Sequence, residues 1–218
     1  GERTMKIGVL GTGPVGNAIG GKLVSLGHDV MMGGRAATNE KVLAFAQRTG
    51  GRAGTFREAA AHGEIVFNCL RGDASIDVFT AVSSELDSKI LADVSNPLDF
   101  SKGMPPTLAI ANADSLGEVL QRGLPKTHVV KTLNTVNSDI MVDPGLIRGE
   151  HAVFVSGNDA AAKGRIKDIL RAFGWQQIID LGDITTARGP EQYLPLWLRL
   201  YGSLGTPDFN VAVVRRGA

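Results

Sequence analysis

Apolar runs of strand length alternate with amphipathic segments of helical length along most of the chain. The apolar runs predict eight strands, at residues 7–10, 28–32, 52–56, 64–70, 89–94, 128–132, 152–155 and 176–181. The amphipathic segments predict helices at residues 15–26, 40–49, 57–61, 74–86, 115–122, 159–173 and 189–204. Pro195 is expected to bend the last helix, and residues 99–106 are expected to form a loop. Regular alternation of strand and helix is typical of an α/β fold with a parallel sheet.

This order predicts a Rossmann-type, doubly wound, mostly parallel sheet of eight strands with a C-terminal helical cap. We expect one NAD(P)-binding domain over residues 1–218, because no low-complexity run or linker divides the chain. Within it, residues 5–136 are expected to form the dinucleotide-binding core, and residues 137–218 to extend the sheet and supply the cap. Residues 1–4 are expected to be a disordered tail.

A glycine-rich turn follows the first predicted strand and opens the first predicted helix. Gly11, Gly13 and Gly16 have the G-x-G-x-x-G spacing of dinucleotide-binding turns. There the first glycine permits a tight turn, the second lets the pyrophosphate approach the backbone, and the third lets the helix pack closely. The helix N-terminus attracts an anion. The candidate cofactor ligands are Gly11, Thr12, Gly13, Pro14, Val15 and Gly16, and the alternative is a glycine-rich turn that binds nothing.

The end of the second predicted strand indicates which dinucleotide is bound. NAD-binding units place a carboxylate there to hold the ribose 2′-hydroxyl. Here the strand ends at Gly34 and Arg35, with Thr38 and Lys41 close behind, and Asp29 lies too early to reach the ribose. A guanidinium binds a phosphate through paired hydrogen bonds, so the sequence favours NADP(H). The alternative is a solvated arginine in a loop.

Composition narrows the function further. The 23 basic and 22 acidic residues leave a net charge of +1, which does not suggest a nucleic-acid partner. No apolar run reaches membrane-spanning length and no signal peptide is recognised, so we expect a cytoplasmic protein with no membrane partner. A single cysteine, Cys69, excludes an internal disulfide and a multi-cysteine metal site, and we expect no metal. Cys69 lies in an apolar strand and is expected to be buried and inert.

Ligands of open α/β sheets bind at the carboxyl ends of the strands. The fourth predicted strand ends at Leu70 and Arg71, which we therefore place beside the cofactor. The fifth ends at Ser95, Asn96 and Pro97, and the sixth is followed by Asn134.

The stretches GTGPVG, GGR, DVSNPL and VVKTLNTV, with the tail from IIDLGD to GTPDFN, resemble the NADPH-dependent F420 reductase family. Its members are F420H2:NADP oxidoreductases, and the NADP-binding domains of pyrroline-5-carboxylate reductases and membrane ferric reductases are similar. The resemblance spans nearly the whole chain and implies a homodimer. It also implies a pyrophosphate at the glycine turn, a 2′-phosphate at Arg35, and a nicotinamide near Ser95, Asn96, Pro97 and Asn134.

The chain departs from this family beside Arg35. Members often have a serine before the arginine and a lysine four residues after it, where this chain has Gly34 and Asn39, with the lysine at Lys41. The phosphate contact is therefore expected to depend mainly on Arg35.

Three functions are compatible with these residues. The first is an NADP-dependent oxidoreductase that exchanges a hydride with a small-molecule acceptor, a deazaflavin (F420) or a flavin; such a transfer needs stacked rings rather than an acid or base. The second is a reductase of a small carbonyl or imine, for which Lys131 is the candidate proton donor. The third is a non-catalytic NADPH sensor. For the first function, Trp197 or Tyr201 is expected to border the acceptor cleft beside Asn96, Pro97 and Asn134.

Overall fold

The computed structural model describes residues 3–216 of the chain. Its strands are Lys6–Leu10 (β1), Asp29–Gly34 (β2), Arg52–Thr55 (β3), Ile65–Asn68 (β4), Ile90–Asp93 (β5), Leu98–Asp99 (β6), Thr107–Leu108 (β7), His128–Thr132 (β8), Ala152–Gly157 (β9) and Gln177–Gly182 (β10). Its α-helices are Pro14–Ser25 (α1), Glu40–Thr49 (α2), Phe56–His62 (α3), Gly72–Ala81 (α4), Leu116–Gly123 (α5), Ser138–Val142 (α6), Ala160–Phe173 (α7), Arg188–Gln192 (α8) and Leu194–Leu204 (α9). Short 3₁₀ helices cover Ser83–Leu86, Pro144–Leu146 and Ile184–Ala187.

Eight of these strands form one sheet, in the order β10-β9-β8-β5-β4-β1-β2-β3. Six neighbouring strands of this sheet, β8, β5, β4, β1, β2 and β3, are parallel, and they lie in the order of a dinucleotide-binding fold. Strand β9 is antiparallel to β8, and β10 is parallel to β9. The predicted doubly wound, mostly parallel eight-stranded sheet is therefore confirmed.

The strands are buried on both faces because helices cover both sides of the sheet. In β4, Ile65 and Phe67 pack into one core and Val66 into the other, as the two-residue period of a strand requires. The first core also takes the apolar faces of α1, α2, α6 and α7. The second takes α3, α4 and α5. The strand order reverses between β1 and β4, which opens a crevice at their carboxyl ends.

Three predicted elements differ from the structure. The predicted helix at residues 74–86 is α4, which ends at Ala81, followed by the 3₁₀ helix Ser83–Leu86. The last helix is not one bent helix, because α8 ends at Gln192 and α9 begins at Leu194. Pro195 lies in the first turn of α9, where its missing N–H leaves no helical hydrogen bond unmade. Residues 100–106 are a loop as predicted, but Asp99 belongs to β6 and the loop joins β6 to β7 in a small antiparallel hairpin that was not predicted.

The N-terminal tail is partly described. Thr4 Oγ1 donates to the Gly27 carbonyl and Arg3 pairs with Glu64, so these two residues contact the body of the protein, contrary to the expected disordered tail. The prediction for residues 1 and 2 lies outside the described residues.

Candidate functional site

The glycine turn after β1 is shaped by close backbone contacts. Gly11 has a φ of +125°, and a Cβ there would lie 2.4 Å from the Cys69 carbonyl oxygen. A Cβ on Gly16 would lie 2.0 Å from the Gly11 carbonyl oxygen. Gly13 differs, because a Cβ built on it meets no described atom within 4 Å. The first and third glycines are thus required by the protein itself, whereas Gly13 borders open space of the kind a pyrophosphate would enter.

The N-terminus of α1 lies at this open space. Gly13 is its N-cap, Pro14 opens the helix, and within the described residues no side chain caps it and no acidic residue lies in its first turn. Its first amides therefore remain available to an anion. The Asn17 side chain fixes the turn by donating to the carbonyls of Thr12 and Gly13, both at 3.0 Å. The residues at this helix end fit a bound pyrophosphate.

Arg35 lies at the tip of β2 with its side chain exposed. Between residues 3 and 216 it forms no hydrogen bond or ion pair. It borders a pocket of about 370 Å³ whose other lining residues are Thr55, Phe56, Arg57, Asp77, Val78, Ala81 and Val82. Asp29 is at the opposite end of the strand, where Arg52 Nε holds it at 2.7 Å. The tip of β2 therefore presents an unpaired cation and no carboxylate of its own, as expected for a 2′-phosphate. Asp77, which also lines the pocket, belongs to α4.

A larger cleft of about 390 Å³ opens at the carboxyl ends of β4, β5 and β8. Its lining residues are Pro14, Val15, Cys69, Leu70, Arg71, Gly72, Asp73, Val94, Ser95, Asn96, Leu98, Phe100, Asn134, Val136, Asn137, Ser138, Met141, Leu194, Trp197 and Leu198. Seven predicted cofactor ligands meet here, namely Pro14, Val15, Leu70, Arg71, Ser95, Asn96 and Asn134. The predicted ligands Pro97, Gly34, Thr38 and Lys41 do not line it: Pro97 and Gly34 are buried, and Thr38 and Lys41 are exposed near Arg35.

Buried polar side chains hold the floor of this cleft. Asn68 Nδ2 donates to Asp93 Oδ1 and to Ser75 Oγ, both at 3.0 Å. Asp93 Oδ1 also accepts from the Ser95 amide at 3.1 Å, and Ser95 Oγ donates to the Leu70 carbonyl at 2.7 Å. The ends of β4 and β5 are thereby joined by groups that satisfy one another, as buried polar atoms require.

Helix α9 forms one wall of the cleft through Leu194, Trp197 and Leu198. The Trp197 indole stacks between Tyr201, with ring centroids 5.6 Å apart, and Phe209, at 5.3 Å. Trp197 therefore borders the cleft as predicted, whereas Tyr201 supports the indole from outside, with 44% of its surface exposed.

Two residues considered for chemistry are unsuited to it. Cys69 lines the cleft and is half-buried, not fully buried as expected. Burial raises the pKa of the Cys69 thiol, with a further contribution from Asp93, so the thiol is protonated and a poor nucleophile. The Lys131 side chain is fully buried. Its Nζ lies 2.6 Å from Asp93 Oδ2, 2.7 Å from Glu191 Oε1 and 2.7 Å from the Ser95 carbonyl oxygen.

Lys131 is therefore not placed to donate a proton to a substrate. Burial alone would lower its pKa, but the adjacent carboxylates of Asp93 and Glu191 outweigh burial and raise it. Lys131 lies in the interior of the sheet, since β8 has β9 and β5 as its neighbours.

Several residues of the site were missed in the sequence. Phe100 lies in the predicted loop after β6, which was not expected to reach the cleft, and Met141 lies in the short helix α6, which was not predicted. Gly72 lets α4 begin against the turn after β5, since a Cβ there would lie 2.1 Å from the Asn96 carbonyl oxygen. Asp93 could have been recognised in the sequence. An acidic residue inside an apolar strand is expected to be buried, and a buried acid is rarely unpaired.

Across residues 3–216, no three His, Cys, Asp or Glu side chains are grouped so as to bind a metal ion. None of the helices in this range is both long and apolar enough to span a bilayer.

Comparison with known proteins agrees with this geometry. The family model for coenzyme F420-dependent NADP oxidoreductases matches residues 6–97, from β1 to the turn after β5. A crystal structure from Arthrobacter sp. FB24, provisionally named an F420-dependent NADP-reductase, is 49% identical with a TM-score of 0.92. The alignment covers 97% of this chain and 100% of that one. This chain belongs to the coenzyme F420-dependent NADP oxidoreductase family.

Members of this family are NADP-dependent oxidoreductases, and the Arg35 tip and the glycine turn of the chain fit that cofactor. A more distant relative is the metalloreductase STEAP3 of Rattus norvegicus, 26% identical over 196 residues. That match covers 88% of this chain, which spans only 38% of the length of STEAP3. An imine reductase from Bacillus cereus is 18% identical with a TM-score of 0.64 over 91% of this chain and 61% of its own, which shows a common fold.

Proposed function

We propose that this oxidoreductase transfers a hydride between NADP(H) and a deazaflavin (F420) or flavin-like acceptor bound in the cleft beside Trp197. The observation that carries the proposal is the position of that cleft. It lies between the open N-terminus of α1, where a dinucleotide would bind, and the apolar wall of α9. The provisional name of the Arthrobacter protein supports a deazaflavin as the first acceptor to test.

The chain supplies three separate contacts for the dinucleotide. The amides at the start of α1 face the space beside Gly13 and would hold the pyrophosphate. Arg35 would pair with the 2′-phosphate through its free guanidinium. Asn96 and Asn134 would orient the nicotinamide amide at the strand ends. When bound, NADPH supplies the hydride.

The acceptor side of the cleft is built for a planar apolar ring. Leu194, Trp197 and Leu198 provide a wall with little polar surface, and Phe100 lies on the hairpin at the rim. Such walls exclude water and hold a ring by contact area, while a few amides set its orientation. Close stacking of two rings, with the reacting carbons about 3–3.5 Å apart, is the main requirement for hydride transfer.

The titratable groups of the cleft favour this function over imine or carbonyl reduction. Within the described residues its lining contains only Cys69, Arg71 and Asp73 as titratable side chains. The thiol pKa is raised, and Arg71 forms an exposed pair with Asp73 at 3.0 Å. Reduction of an imine or carbonyl needs a proton donor near the reacting carbon, whereas transfer to a deazaflavin does not depend on one.

An acceptor panel tests the proposal. NADPH oxidation is measured anaerobically with F420, with a flavin, with a cyclic imine and with no acceptor. We expect rapid oxidation with F420 or the flavin, and quenching of Trp197 fluorescence when that acceptor is added without NADPH. Oxidation with the imine alone would establish the second function instead. NADPH binding without turnover on any acceptor would indicate a sensor.

A matched pair of variants locates the acceptor. Trp197→Leu is expected to reduce acceptor-dependent turnover at least tenfold while the Kd for NADPH stays within twofold. Leu146→Ala, at an exposed leucine outside the cleft lining, should leave both unchanged. Equal turnover by both variants would place the acceptor elsewhere.

The quaternary structure and location expected from the sequence stay predictions. We propose a homodimer in which the exposed side chains of α9, Leu196, Tyr201 and Leu204, meet a second copy. Light scattering after gel filtration tests this, since Leu204→Glu should then produce a monomer. A cytoplasmic location is likewise proposed and can be tested by cell fractionation.

A further inference from the structure

Lys131 is the centre of a buried ionic cluster that the proposed chemistry does not use. Three oxygens surround its Nζ within 2.7 Å: Asp93 Oδ2, Glu191 Oε1 and the Ser95 carbonyl. The side chains of Lys131, Asp93 and Glu191 are at most 1% exposed. The lysine ammonium therefore forms two ion pairs and one hydrogen bond, to the Ser95 carbonyl. Removing these charges from water costs free energy, so we ask what the cluster contributes in return.

Glu191 also caps the N-terminus of α5. Its Oε2 accepts from the Leu116 amide at 2.7 Å and its Oε1 from the Gly117 amide at 3.0 Å. These are the first two amides of α5, where a carboxylate is favoured by the helix dipole. Glu191 therefore joins three elements, α8, α5 and β8, through one side chain.

The two ends of the cluster lead to opposite walls of the cleft. Ser95, whose carbonyl Lys131 holds, immediately precedes Asn96 on the nicotinamide side. Glu191 lies in α8, three residues before Leu194 and six before Trp197 on the acceptor side. Lys131 is thus a direct connection, made by one atom, between the turn after β5 and the segment that carries the α9 wall.

We infer that Lys131 is a positioning residue that fixes the separation between the Asn96 wall and the Trp197 wall. The inference rests on the proposed function for its catalytic consequence, but the geometry it predicts is independent of which acceptor binds. Hydride transfer is sensitive to this separation, since a displacement of about 1 Å is enough to cost on the order of 100-fold in rate. A buried ionic contact fixes the relative position of the two walls, whereas an apolar contact would let one wall shift against the other.

The main test neutralises the whole cluster. Lys131→Met alone would leave two buried carboxylates unpaired and is expected to unfold the protein. The triple variant Asp93→Asn, Lys131→Met, Glu191→Gln removes all three charges together, a kind of change that buried ion clusters often tolerate. Lys163→Met is the control, because Lys163 also holds a carboxylate, Asp180, and a carbonyl, that of Gly182, but far from the cleft.

The readout of wall position is acrylamide quenching of tryptophan. The chain has two tryptophans, and Trp175 is 2% exposed, so quenching reports on Trp197. We expect the triple variant to show at least a twofold larger quenching constant, an NADPH Kd within threefold of the parent, and about 100-fold slower turnover. The control should match the parent in all three. If a folded triple variant has the parent's quenching and turnover, the cluster is only structural and the inference is wrong.

Two further outcomes remain decisive. If the triple variant does not fold, Glu191→Gln replaces it. This change removes the charge, and the new amide nitrogen must face either the Leu116 amide or Lys131 and the Gly117 amide, which now have Oε2 and Oε1 as their acceptors. The quenching constant of Glu191→Gln must rise, and an unchanged value overturns the inference. If the parent reduces no acceptor, the proposed function fails, but the comparison of quenching constants still tests whether Lys131 holds the α9 wall.

Discussion

Asn96 and Asn134 are joined by two reciprocal hydrogen bonds at the mouth of the cleft. Asn96 Nδ2 donates to the Asn134 carbonyl and Asn134 Nδ2 donates to Asn96 Oδ1, both at 2.9 Å. The pair links the turns after β5 and β8, 38 residues apart in sequence. Leu133, the residue before Asn134, has a φ of +61°, which a bulky residue adopts only when its surroundings impose it. The wall of the cleft that we propose for the nicotinamide is therefore preformed by the protein.

Loss of this pair should cost stability. Asn134→Ala leaves Asn96 Oδ1 without its donor, so the free energy of unfolding should fall by about 1–2 kcal/mol. Asn137 lines the same cleft, but its side chain caps no amide of α6. Asn137→Ala is therefore the control and should cost less than about 0.5 kcal/mol. Urea unfolding measures both, and equal losses would show that the reciprocal pair contributes nothing.

Arg35 should determine the preference for NADPH over NADH. A charge-assisted contact contributes about 1.5–3 kcal/mol, so Arg35→Ala should weaken NADPH binding by roughly 10- to 100-fold. NADH affinity should change by less than twofold, because NADH lacks the 2′-phosphate. Arg171→Ala, on the distant helix α7, is the control. Titration calorimetry measures the affinity of each variant for both dinucleotides. An equal loss of affinity for NADPH and NADH would exclude a contact between Arg35 and the 2′-phosphate.

Gly13 should be dispensable for folding and necessary for dinucleotide binding. Its backbone is extended, with a φ of −81° and a ψ of −171°, which valine adopts readily. Gly13→Val should therefore fold normally but fill the space intended for the pyrophosphate, abolishing NADPH binding. Gly164, in α7, also has open space around its Cβ position, and Gly164→Val should bind normally. Parent affinity in a folded Gly13→Val variant would show that the pyrophosphate does not approach there.

Much of this site could be predicted from sequence because its backbone signals are local. The spacing of Gly11, Gly13 and Gly16 and the arginine at the tip of β2 lie within one β-α-β unit, where neighbouring residues determine the geometry. The cluster around Lys131 could not be predicted in the same way. Glu191 reaches α5 from 74 residues further along the chain, and no local pattern encodes that contact. A lysine in the sequence HVVKT has the same appearance whether it is buried or exposed.

The C-terminal cap was predicted only in outline. The apolar stripe of the last helix predicted that Trp197 or Tyr201 borders the acceptor cleft. It did not predict that the helix breaks at Tyr193 instead of bending at Pro195, because the break depends on how α8 packs against the 3₁₀ helix before it. The hairpin that carries Phe100 has strands of only two residues each, too short for a two-residue period to be recognised.

Asp180 gives a prediction for the dependence of stability on pH. Burial alone would raise its pKa, but hydrogen bonds from Lys163 and Lys167 lower it to about 2. A lowered pKa in the folded state stabilises the fold above the unfolded-state value near 3.8, and that stabilisation is lost as pH falls from about 4 to 2. Because the carboxylate is 34% exposed, solvent screening reduces its contribution to about 1 kcal/mol.

Asp180→Asn should accordingly lower the free energy of unfolding by about 1 kcal/mol at pH 7 and have no effect below pH 2. Asp168→Asn is the matched control, since that carboxylate is 75% exposed in its pair with Arg171. Urea titrations across this pH range are the measurement. A constant difference between Asp180→Asn and the parent at every pH would contradict the ion-pair explanation.

The central claim is that the cleft brings a nicotinamide and a deazaflavin or flavin-like ring together for direct hydride transfer. Its most direct test uses NADPH carrying deuterium at the transferred position, mixed anaerobically with the protein and F420. A deazaflavin accepts the hydride at carbon, so direct transfer leaves the label in the reduced product, where mass spectrometry detects it. We expect one deuterium per reduced F420, and a strong loss of product with Trp197→Leu. Reduced F420 containing only solvent hydrogen, or no reduction at all of F420 or a flavin, would contradict it.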